Sequence, residues 1–453
     1  MKIFTGLLLA FILLGCTNEV VVRPSENSFI LKNVNILDIE NKTITPSKTI
    51  EVNDGKITSV LNENTPFSLK NLKVIDGKGG YITPGLIDMH VHMYEEAAYI
   101  LTLNHGVTHV RVMNGVPKQL LWRDNINAGI QIGSSSTVSS PIISGYKSAY
   151  LQHGVEYSKE AIKAVRAYHA QGYDLIKAYG NLNEETLSAI ISETKILGMP
   201  VAKHGPHASG DMPISRLKNI QSFEHVEDIF QGPLNNEFTP EKLPQIISDL
   251  KATNVPVTPT LNIYYQLTKI SQYKEDYLAT TPKEYTSDIV AFEASNNQVK
   301  RWLESSANMA TYNQKKMAFF QLITKNLFDA GIPLLVGSDS GVLLSPHGIG
   351  THNEMRLLEK SGLNPFEVLA ASTINPARAL NLDKEMGKVS KNYNADFIYT
   401  TSNPITNLSV LMESEAVIKN GHWYSREKLN AMKGDAIESR SVWEEFFVLF
   451  EAI

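Results

Sequence analysis

Residues 82–93 read ITPGLIDMHVHM and are the starting point for the fold, because they predict a short apolar strand that ends in two histidines. His90 and His92 are two residues apart, so on a strand both side chains lie on the same face. Alone, the pair carries little weight, since a histidine on an apolar strand is more often a buried core residue than a ligand. Its meaning depends on what the rest of the chain places beside it.

Short apolar strands alternate with amphipathic helical stretches from about residue 81 to residue 386, a pattern typical of βα units around a parallel sheet. Eight candidate strands predict an α/β fold with a closed (β/α)8 TIM barrel rather than an open sheet. The strands are predicted within LIDMHVH (86–92), VTHVRVMN (107–114), TVSSPIISG (137–145), YDLIKAYG (173–180), MPVAKHG (199–205), QSFEHVE (221–227), VPVTPTL (255–261) and PLLVGSDSG (333–341). The stretch 263–317 is too long for a simple βα connection and predicts an insertion over the barrel mouth.

Both ends of the chain carry β-rich segments. Residues 28–74 alternate in short runs with a hairpin signal at Asn53-Asp54-Gly55, and a second patch near residues 395–424 contains Asn420-Gly421. Each patch is too small to be stable alone, so we expect one small, discontinuous antiparallel β-sandwich assembled from both ends. The predicted limits are 28–83 with 387–427 for the sandwich, 84–386 for the barrel and 428–453 for an apolar, helical C-terminal tail.

The N-terminus predicts an export signal. Residues 3–15 form an apolar run behind Lys2 that is too short to span a bilayer and has the size of a signal-peptide core. Leu13-Leu14-Gly15-Cys16 resembles the lipobox of bacterial lipoproteins, and Cys16 is the only cysteine. We therefore predict a signal peptide at 1–15, lipidation of Cys16, a tether at 16–27, and a membrane-anchored protein that faces the periplasm or the cell surface.

Composition excludes several classes of protein. The chain has 453 residues, with 42 basic and 47 acidic side chains and a formal net charge of −5. This balance supplies no basic field for a nucleic-acid backbone, so nucleic acid is not an expected partner. A single cysteine also excludes a disulfide scaffold and a cysteine-built zinc finger.

Four further residues fall at or just beyond the ends of different predicted strands: Lys177, His204, His225 and Asp339. A barrel brings such strand ends together at its C-terminal face. Imidazoles and a carboxylate are ligands that zinc, manganese, iron or cobalt accept, and four histidines with an aspartate can hold two ions. An unmodified lysine is a poor ligand at neutral pH, but carboxylation by carbon dioxide converts it into an anionic carbamate that can bridge two cations.

Other polar residues near predicted loop ends are weaker candidates for substrate binding, and each fits equally a packing or rim position. They are Tyr146, His153, Tyr264, Tyr265, His347 and His352. His207 is predicted to lie on the loop after the fifth strand, and no role is assigned to the remaining histidines.

The stretch 82–93, followed in order by the lysine, the two further histidines and the aspartate, resembles the amidohydrolase superfamily over roughly residues 29–424. The chain is most similar to its imidazolonepropionase-like subgroup, which includes metal-dependent Xaa-Pro dipeptidases. The subgroup's Gly-Gly-His-Gly run after strand three is replaced here by SGYKSAYLQHG, where His153 is the nearest equivalent.

The resemblance implies a ligand set for two divalent metals, most often zinc. It places His90, His92 and Asp339 on one metal, His204 and His225 on the other, and carboxylated Lys177 between them. It also implies a bridging hydroxide as nucleophile, with Asp339 as the catalytic proton acceptor.

The sequence thus predicts an exported, metal-dependent amidohydrolase that cleaves the amide bond of a small substrate, with a dipeptide as first candidate. Two alternatives stay open. One is a cyclic-amide hydrolase or deaminase with a single metal, and the other is a non-catalytic binding lipoprotein on the same barrel. The oligomeric state is left open.

Overall fold

The computed structural model describes residues 20–21, 26–148, 151–207 and 212–451. The predicted signal peptide, the lipidation site Cys16 and most of the predicted tether lie outside the described residues. Within the described ranges, none of the helices combines the length and the apolar character that a bilayer span requires.

The elements of the described residues are as follows. The strands are β1 Val20–Val21, β2 Phe29–Asp38, β3 Thr43–Asn53, β4 Lys56–Asn62, β5 Leu69–Lys70, β6 Lys73–Pro84, β7 Leu86–Val91, β8 Val107–Val112, β9 Ser135–Val138, β10 Ile142–Ser144, β11 Gln152–Gly154, β12 Ile176–Ala178, β13 Val201–His204, β14 Ser222–Glu224, β15 Val257–Thr258, β16 Phe397–Thr400, β17 Ala416–Lys419 and β18 His422–Ser425. The α-helices are α1 Ala97–Asn104, α2 Pro117–Asn127, α3 Ser158–Ala170, α4 Glu184–Leu197, α5 Val226–Gln231, α6 Leu243–Lys251, α7 Leu261–Leu278, α8 Asp288–Asn296, α9 Gln298–Leu303, α10 Ala307–Asp329, α11 Ile349–Lys360, α12 Pro365–Ser372, α13 Ile374–Ala379, α14 Arg426–Glu438 and α15 Val442–Phe450. Short 3-10 helices lie at Ile214–Arg216, Pro240–Lys242, Lys283–Tyr285 and Leu408–Leu411.

A parallel barrel forms the centre of the molecule, as the sequence predicts. Strands β7, β8 and β9 pair in one sheet, and β10, β12, β13, β14 and β15 pair in another, all in parallel. A parallel bridge between Ser139 and Leu175 joins the two sheets. Segment 333–341 closes the ring through bridges from Leu334 to Val257 and from Ser340 to Val91.

Two predicted strands are less regular than expected. The third is divided into β9 and β10 by an interruption that contains Pro141, which has no backbone N–H to donate to a ladder. The eighth, 333–341, makes bridges rather than a continuous strand, and Asp339 within it has a left-handed backbone with φ of 52°. Both predicted segments therefore take their places in the barrel, but neither is one unbroken strand.

Asp88 fastens the closure of the barrel. Its fully buried carboxylate accepts the backbone N–H of His90 at 3.1 Å, the N–H of Ser338 at 3.0 Å and the hydroxyl of Thr351 at 2.6 Å. Gly337 permits close approach on both sides, because a Cβ there would lie 2.9 Å from Cβ of His90 in β7 and 2.3 Å from the methyl carbon of Thr258 in β15. The first strand and the closing segment are thus held in direct contact.

Strands from both chain ends form one hydrogen-bonded sheet of order β18-β17-β16-β6-β2-β3-β4. The predicted small discontinuous β domain from both chain ends is confirmed, but its strands are not all antiparallel as expected, since the β2–β6 pair is parallel. The sheet curls so that its halves share a core, with the rings of Phe29 and Trp423 5.9 Å apart and the N–H of Ile57 donating to the carbonyl of Tyr393 at 2.9 Å.

The long connection after β15 is helical. Helices α7 to α10 occupy the region predicted to be an insertion, and α14 and α15 form the C-terminal tail. The tail returns to the barrel, because α14 packs against α1 and α15 packs against α8. The domain limits given above stay predictions.

Candidate metal centre

Three ligand atoms from His90, His225 and Asp339 lie within 4.8 Å of one another at the C-terminal ends of barrel strands. All three residues are buried, with exposures of 1%, 5% and 7%. His92 joins them, because its Nε2 lies 3.0 Å from Oδ1 of Asp339, and Nε2 of His90 lies 3.6 Å from the same oxygen. The closing segment therefore places the aspartate against both histidines of the first strand.

His204 and Lys177 complete the cluster on the side of β12 and β13. The ring of His204 lies 4.5 Å from that of His225, and its Nε2 lies 3.2 Å from Oδ2 of Asp228. Lys177 is 1% exposed, and Asp339 and Asp228 are among the charges that act on it. The structure thus brings the predicted ligand residues to one place.

The protonation states suit metal binding. Burial and the nearby Lys177 lower the pKa of His90 to about 4, and burial also places the pKa values of His204 and His225 well below the usual value. These imidazoles are therefore neutral at pH 7 and offer a lone pair. Burial raises the pKa of Asp339, but His90 and a hydrogen bond from His92 lower it more, so this group is an ionised carboxylate.

Lys177 is buried, and its Nζ has no hydrogen-bond partner among the described residues. Burial lowers its pKa to about 8, with Glu224 acting in the opposite direction. The neutral amine, which is the form that reacts with carbon dioxide, is therefore far more populated at pH 7 than in a free lysine, although it stays the minor form. Nδ1 of His204 also lacks a partner. Unpaired buried nitrogen atoms that can carry a lone pair, beside neutral imidazoles and a carboxylate, fit a divalent metal ion.

Two residues that the sequence interpretation missed orient His90. Glu224 accepts a hydrogen bond from Nδ1 of His90 at 2.8 Å, which turns Nε2 towards the cluster. The same carboxylate accepts from Nη2 of Arg111 at 2.6 Å and from the hydroxyl of Ser222. Burial raises the pKa of Glu224, but Arg111 and His90 hold it well below its ordinary value. A glutamate directly before His225 in a buried strand was the available signal.

Unusual backbone angles occur at the same strand ends. His225, Thr260 and Asp339 have φ values of 66°, 52° and 52°, in the left-handed region that non-glycine residues seldom adopt. Thr260 holds Nδ1 of His225 through its hydroxyl at 2.6 Å. Backbone strain of this kind clusters at functional sites, and strand alternation cannot predict where these side chains point.

Of the weaker candidates, three lie near the cluster or the barrel mouth. His347 is buried, and His92 contributes, after burial and Arg440, to lowering its pKa to about 3. Tyr264 donates its hydroxyl to Glu227 at 2.5 Å. Tyr146 is 45% exposed after the third strand.

The remaining candidates make contacts elsewhere. Nδ1 of His153 is hydrogen bonded to the hydroxyl of Tyr168 at 2.6 Å, and His352 donates from Nε2 to the carbonyl of His105 at 2.8 Å. Tyr265 packs with its ring 4.9 Å from the guanidinium of Arg356. His207 lies on the loop after β13, beside Gly205 and Gly232.

A cavity of about 250 Å³ opens beside His92 and Gly341. Its walls come from the barrel mouth, from helix α8 and the residues after it, and from α15. The lining residues are His92, Tyr94, Asn114, Ile142, Leu151, Val290, Glu293, Ala294, Asn297, Gln298, Gly341, Val342, Leu343 and Leu449.

Comparison with known proteins adds a family match. The model described as "Amidohydrolase family" matches residues 81–424. A 5-methylthioadenosine/S-adenosylhomocysteine deaminase from Carboxydothermus hydrogenoformans is 23% identical over 420 residues, covering 84% of this chain and 86% of the relative. An imidazolonepropionase from Geobacillus sp. (strain WCH70) is 24% identical over 383 residues, covering 77% and 82%. A crystal structure of a Xaa-Pro dipeptidase with bound methionine has a TM-score of 0.67 at 18% identity, covering 88% of this chain and all of that one, which shows a shared fold.

Replacing Glu224 tests its role in orienting His90. We expect Glu224→Gln to weaken divalent metal binding by about 10-fold to 100-fold, because the amide is a poorer acceptor for Nδ1 of His90. The measurement is a competition titration against a coloured chelator with zinc, alongside a thermal melt of the metal-free protein. Glu193→Gln, which removes a carboxylate paired with Arg166 on a barrel helix, is the control. Equal metal affinity in both variants would contradict the assigned role.

Proposed function

The chain belongs to the amidohydrolase family, and from that premise we propose that it hydrolyses the amide bond of a small substrate, with a dipeptide as first candidate. Members of this family are metal-dependent hydrolases that act on carbon–nitrogen bonds, and this chain is one of them. The Xaa-Pro dipeptidase among its structural neighbours supports the dipeptide.

The observation that carries the proposal is the buried Lys177, whose Nζ has no hydrogen-bond partner in the described residues although it lies among imidazoles and carboxylates. We propose that its neutral amine adds carbon dioxide with release of a proton, and that the resulting carbamate would help to hold two divalent metals, with zinc as first candidate. His90, His92 and Asp339 would hold one ion, and His204 and His225 the other. When bound, such ions lower the pKa of water and polarise a substrate carbonyl.

The chain's own residues supply the proton transfer and the positioning. The ionised carboxylate of Asp339 can accept a proton from the attacking water and return it to the leaving nitrogen. Glu224 and Thr260 fix the rings of His90 and His225 by hydrogen bonds to Nδ1, so neither imidazole must reorient during turnover. The low exposure of the cluster limits the entry of bulk water.

A second candidate is a deaminase or cyclic-amide hydrolase with one metal. One observation favours it: a ligand atom each from His90, His225 and Asp339 lie within 4.8 Å of one another, so a single ion could bind all three. The deaminase among the relatives and the imidazolonepropionase agree with this chemistry.

Metal content separates the two candidates. For the wild type we expect about two equivalents of zinc per chain by plasma mass spectrometry, and about one or fewer for Lys177→Ala. Activity against a library of dipeptides and N-acyl amino acids, assayed with zinc, manganese or cobalt, should fall at least about 100-fold in Lys177→Ala and in Asp339→Asn.

Lys195→Ala, at an exposed position of α4, is the matched control and should keep both metal and activity. Full activity with one equivalent of metal would favour the mononuclear candidate. Absence of turnover with any substrate and metal, in a folded and metal-loaded chain, would favour a binding protein.

The residues that line the cavity beside His92 suit one part of a substrate better than the others. Most of its wall is apolar, with Ile142 and Leu343 among the lining side chains. Among the lining residues that the structure describes, Glu293 carries the only carboxylate, and no lysine or arginine accompanies it. We propose that this wall receives an apolar residue with a free ammonium group, as at the N-terminus of a dipeptide, because a negative site disfavours a second carboxylate.

Glu293→Gln tests this assignment. We expect its KM for dipeptides with a free amino group to rise about 10-fold to 150-fold, the effect of losing the charge from one hydrogen bond to an ammonium group. The KM for the N-acetylated forms of the same dipeptides should not change. Glu304→Gln, at an exposed position of the same region, is the control. An equal rise for free and acetylated substrates would contradict ammonium recognition.

We also propose that the chain acts outside the cytoplasm on a lipid anchor at Cys16. The support is the apolar run at 3–15 and the Leu13-Leu14-Gly15-Cys16 motif. An exported location suits the capture of peptides from the surroundings.

Lipidation can be measured directly. In a bacterial host, we expect the wild type to incorporate labelled palmitate and to appear in the membrane fraction, because acyl chains on one cysteine provide stable anchoring. Cys16→Ser should incorporate none and leave that fraction. Equal labelling of both proteins, or no labelling of either, would contradict the anchor.

A further inference from the structure

Helix α15 presents a continuous aromatic surface to solvent. Trp443, Phe446, Phe447 and Phe450 follow the spacing i, i+3, i+4, i+7, which places them on one helix face. Their side chains are 74%, 50%, 60% and 64% exposed. The ring of Phe446 lies 5.9 Å from that of Phe447 and 6.2 Å from that of Phe450, so the rings touch one another. We call these four residues the aromatic stripe.

The helix is held in place by its other face. Glu445 and Val448 are 4% and 2% exposed. Just before the helix, Arg440 donates from Nε and Nη2 to the carboxylate of Glu95 at 2.6 and 2.9 Å. Its Nη1 also donates to the carbonyl of Glu284 at 2.6 Å. The exposure of the stripe therefore belongs to an anchored helix and not to a frayed chain end.

We propose that the aromatic stripe is a self-association surface through which two copies of this chain pair around a twofold axis. At about 200 Å² for a full aromatic side chain, the exposed fractions give about 500 Å² per copy. Val442, 51% exposed and four residues before Phe446, extends the apolar area along the same helix. Two copies then bury about 1,100 Å², which exceeds the roughly 1,000 Å² expected of a specific interface.

Charge favours a second copy over a lipid surface. Glu444 is paired with Lys118 at 3.2 Å and Glu445 is buried, so the acidic residues beside the stripe are compensated or removed from solvent. Helix α15 contains no lysine or arginine. Helices that lie on anionic membranes carry basic residues on their polar face, and this one does not.

Pairing would also act on the cavity beside His92. Leu449 of α15 and Val290 of α8 belong to its wall, on the side of these helices that faces the barrel. A partner seated on the stripe would hold α15, and with it this wall, in one position. The association itself does not depend on the proposed reaction.

Sedimentation velocity of the purified full chain tests the proposal. To exclude the proposed lipid anchor the measurement uses the Cys16→Ser chain as parent, and we expect it to sediment at twice its own chain mass. The double variant Trp443→Glu/Phe447→Glu should raise the dimer dissociation constant about 100-fold or more, because each substitution acts twice across a twofold axis. Ile196→Glu, at a 76% exposed position of α4, is the matched control and should stay dimeric.

Cross-linking gives a second measurement in a chain with one natural cysteine. In a Cys16→Ser background, Phe446→Cys should form a covalent dimer with a short bis-maleimide, while Ile196→Cys should not. A monomeric parent chain, or a double glutamate variant that remains dimeric, would overturn the proposal. A monomeric Cys16→Ser chain that floats with lipid vesicles, and that no longer floats after Trp443→Glu/Phe447→Glu, would overturn it also, since the stripe would then bind a membrane.

Discussion

The backbone hydrogen bonds that close the barrel are the constraint on which the site depends. The N–H of Asp339 donates to the carbonyl of His90 at 2.8 Å, and the N–H of His92 donates to the carbonyl of Ser340 at 2.8 Å. These two hydrogen bonds place the carboxylate of Asp339, at the end of the barrel sequence, beside the imidazoles of His90 and His92, at its beginning. The buried carboxylate of Asp88 joins the same two segments, because it accepts hydrogen bonds from the N–H groups of His90 and Ser338. The geometry of the ligand cluster is therefore a property of the fold and not of any one loop.

The buried polar groups at the cluster differ in whether they have hydrogen-bond partners. Burying a carboxylate destabilises a fold by several kcal/mol unless the group is paired and hydrogen bonded. Glu224 meets this condition, because it accepts hydrogen bonds from Arg111, His90 and Ser222. The carboxylate of Glu224, which lies behind the candidate ligand His90, therefore has its hydrogen bonds satisfied. Towards the centre of the cluster, Lys177 has a buried amine without a partner in the described residues. Satisfied outer hydrogen bonds around inner atoms that are free to offer a lone pair are the arrangement that a metal site requires.

Chemistry and selectivity come from different parts of the chain. The barrel strands carry the candidate ligands, whereas the cavity wall beside His92 is built partly from α8 of the insertion and from α15 of the tail. A scaffold of this kind can keep one reaction type while loops and added helices set the substrate. The tail has a second face as well, the aromatic stripe, so the same helix contributes to the cavity and to the outer surface.

The amino-acid sequence alone determined the α/β barrel and the candidate ligands, because apolar periodicity and position at a strand end are local patterns. It could not place Glu224, Arg111 and Thr260 beside those ligands, since their contacts arise between segments far apart in the chain. Nor could it predict the left-handed backbone at Asp339 or the parallel β2–β6 pair. Only the tertiary structure decided which polar groups are buried together and which apolar side chains stay exposed, because burial depends on what packs against a residue and not on its neighbours in sequence.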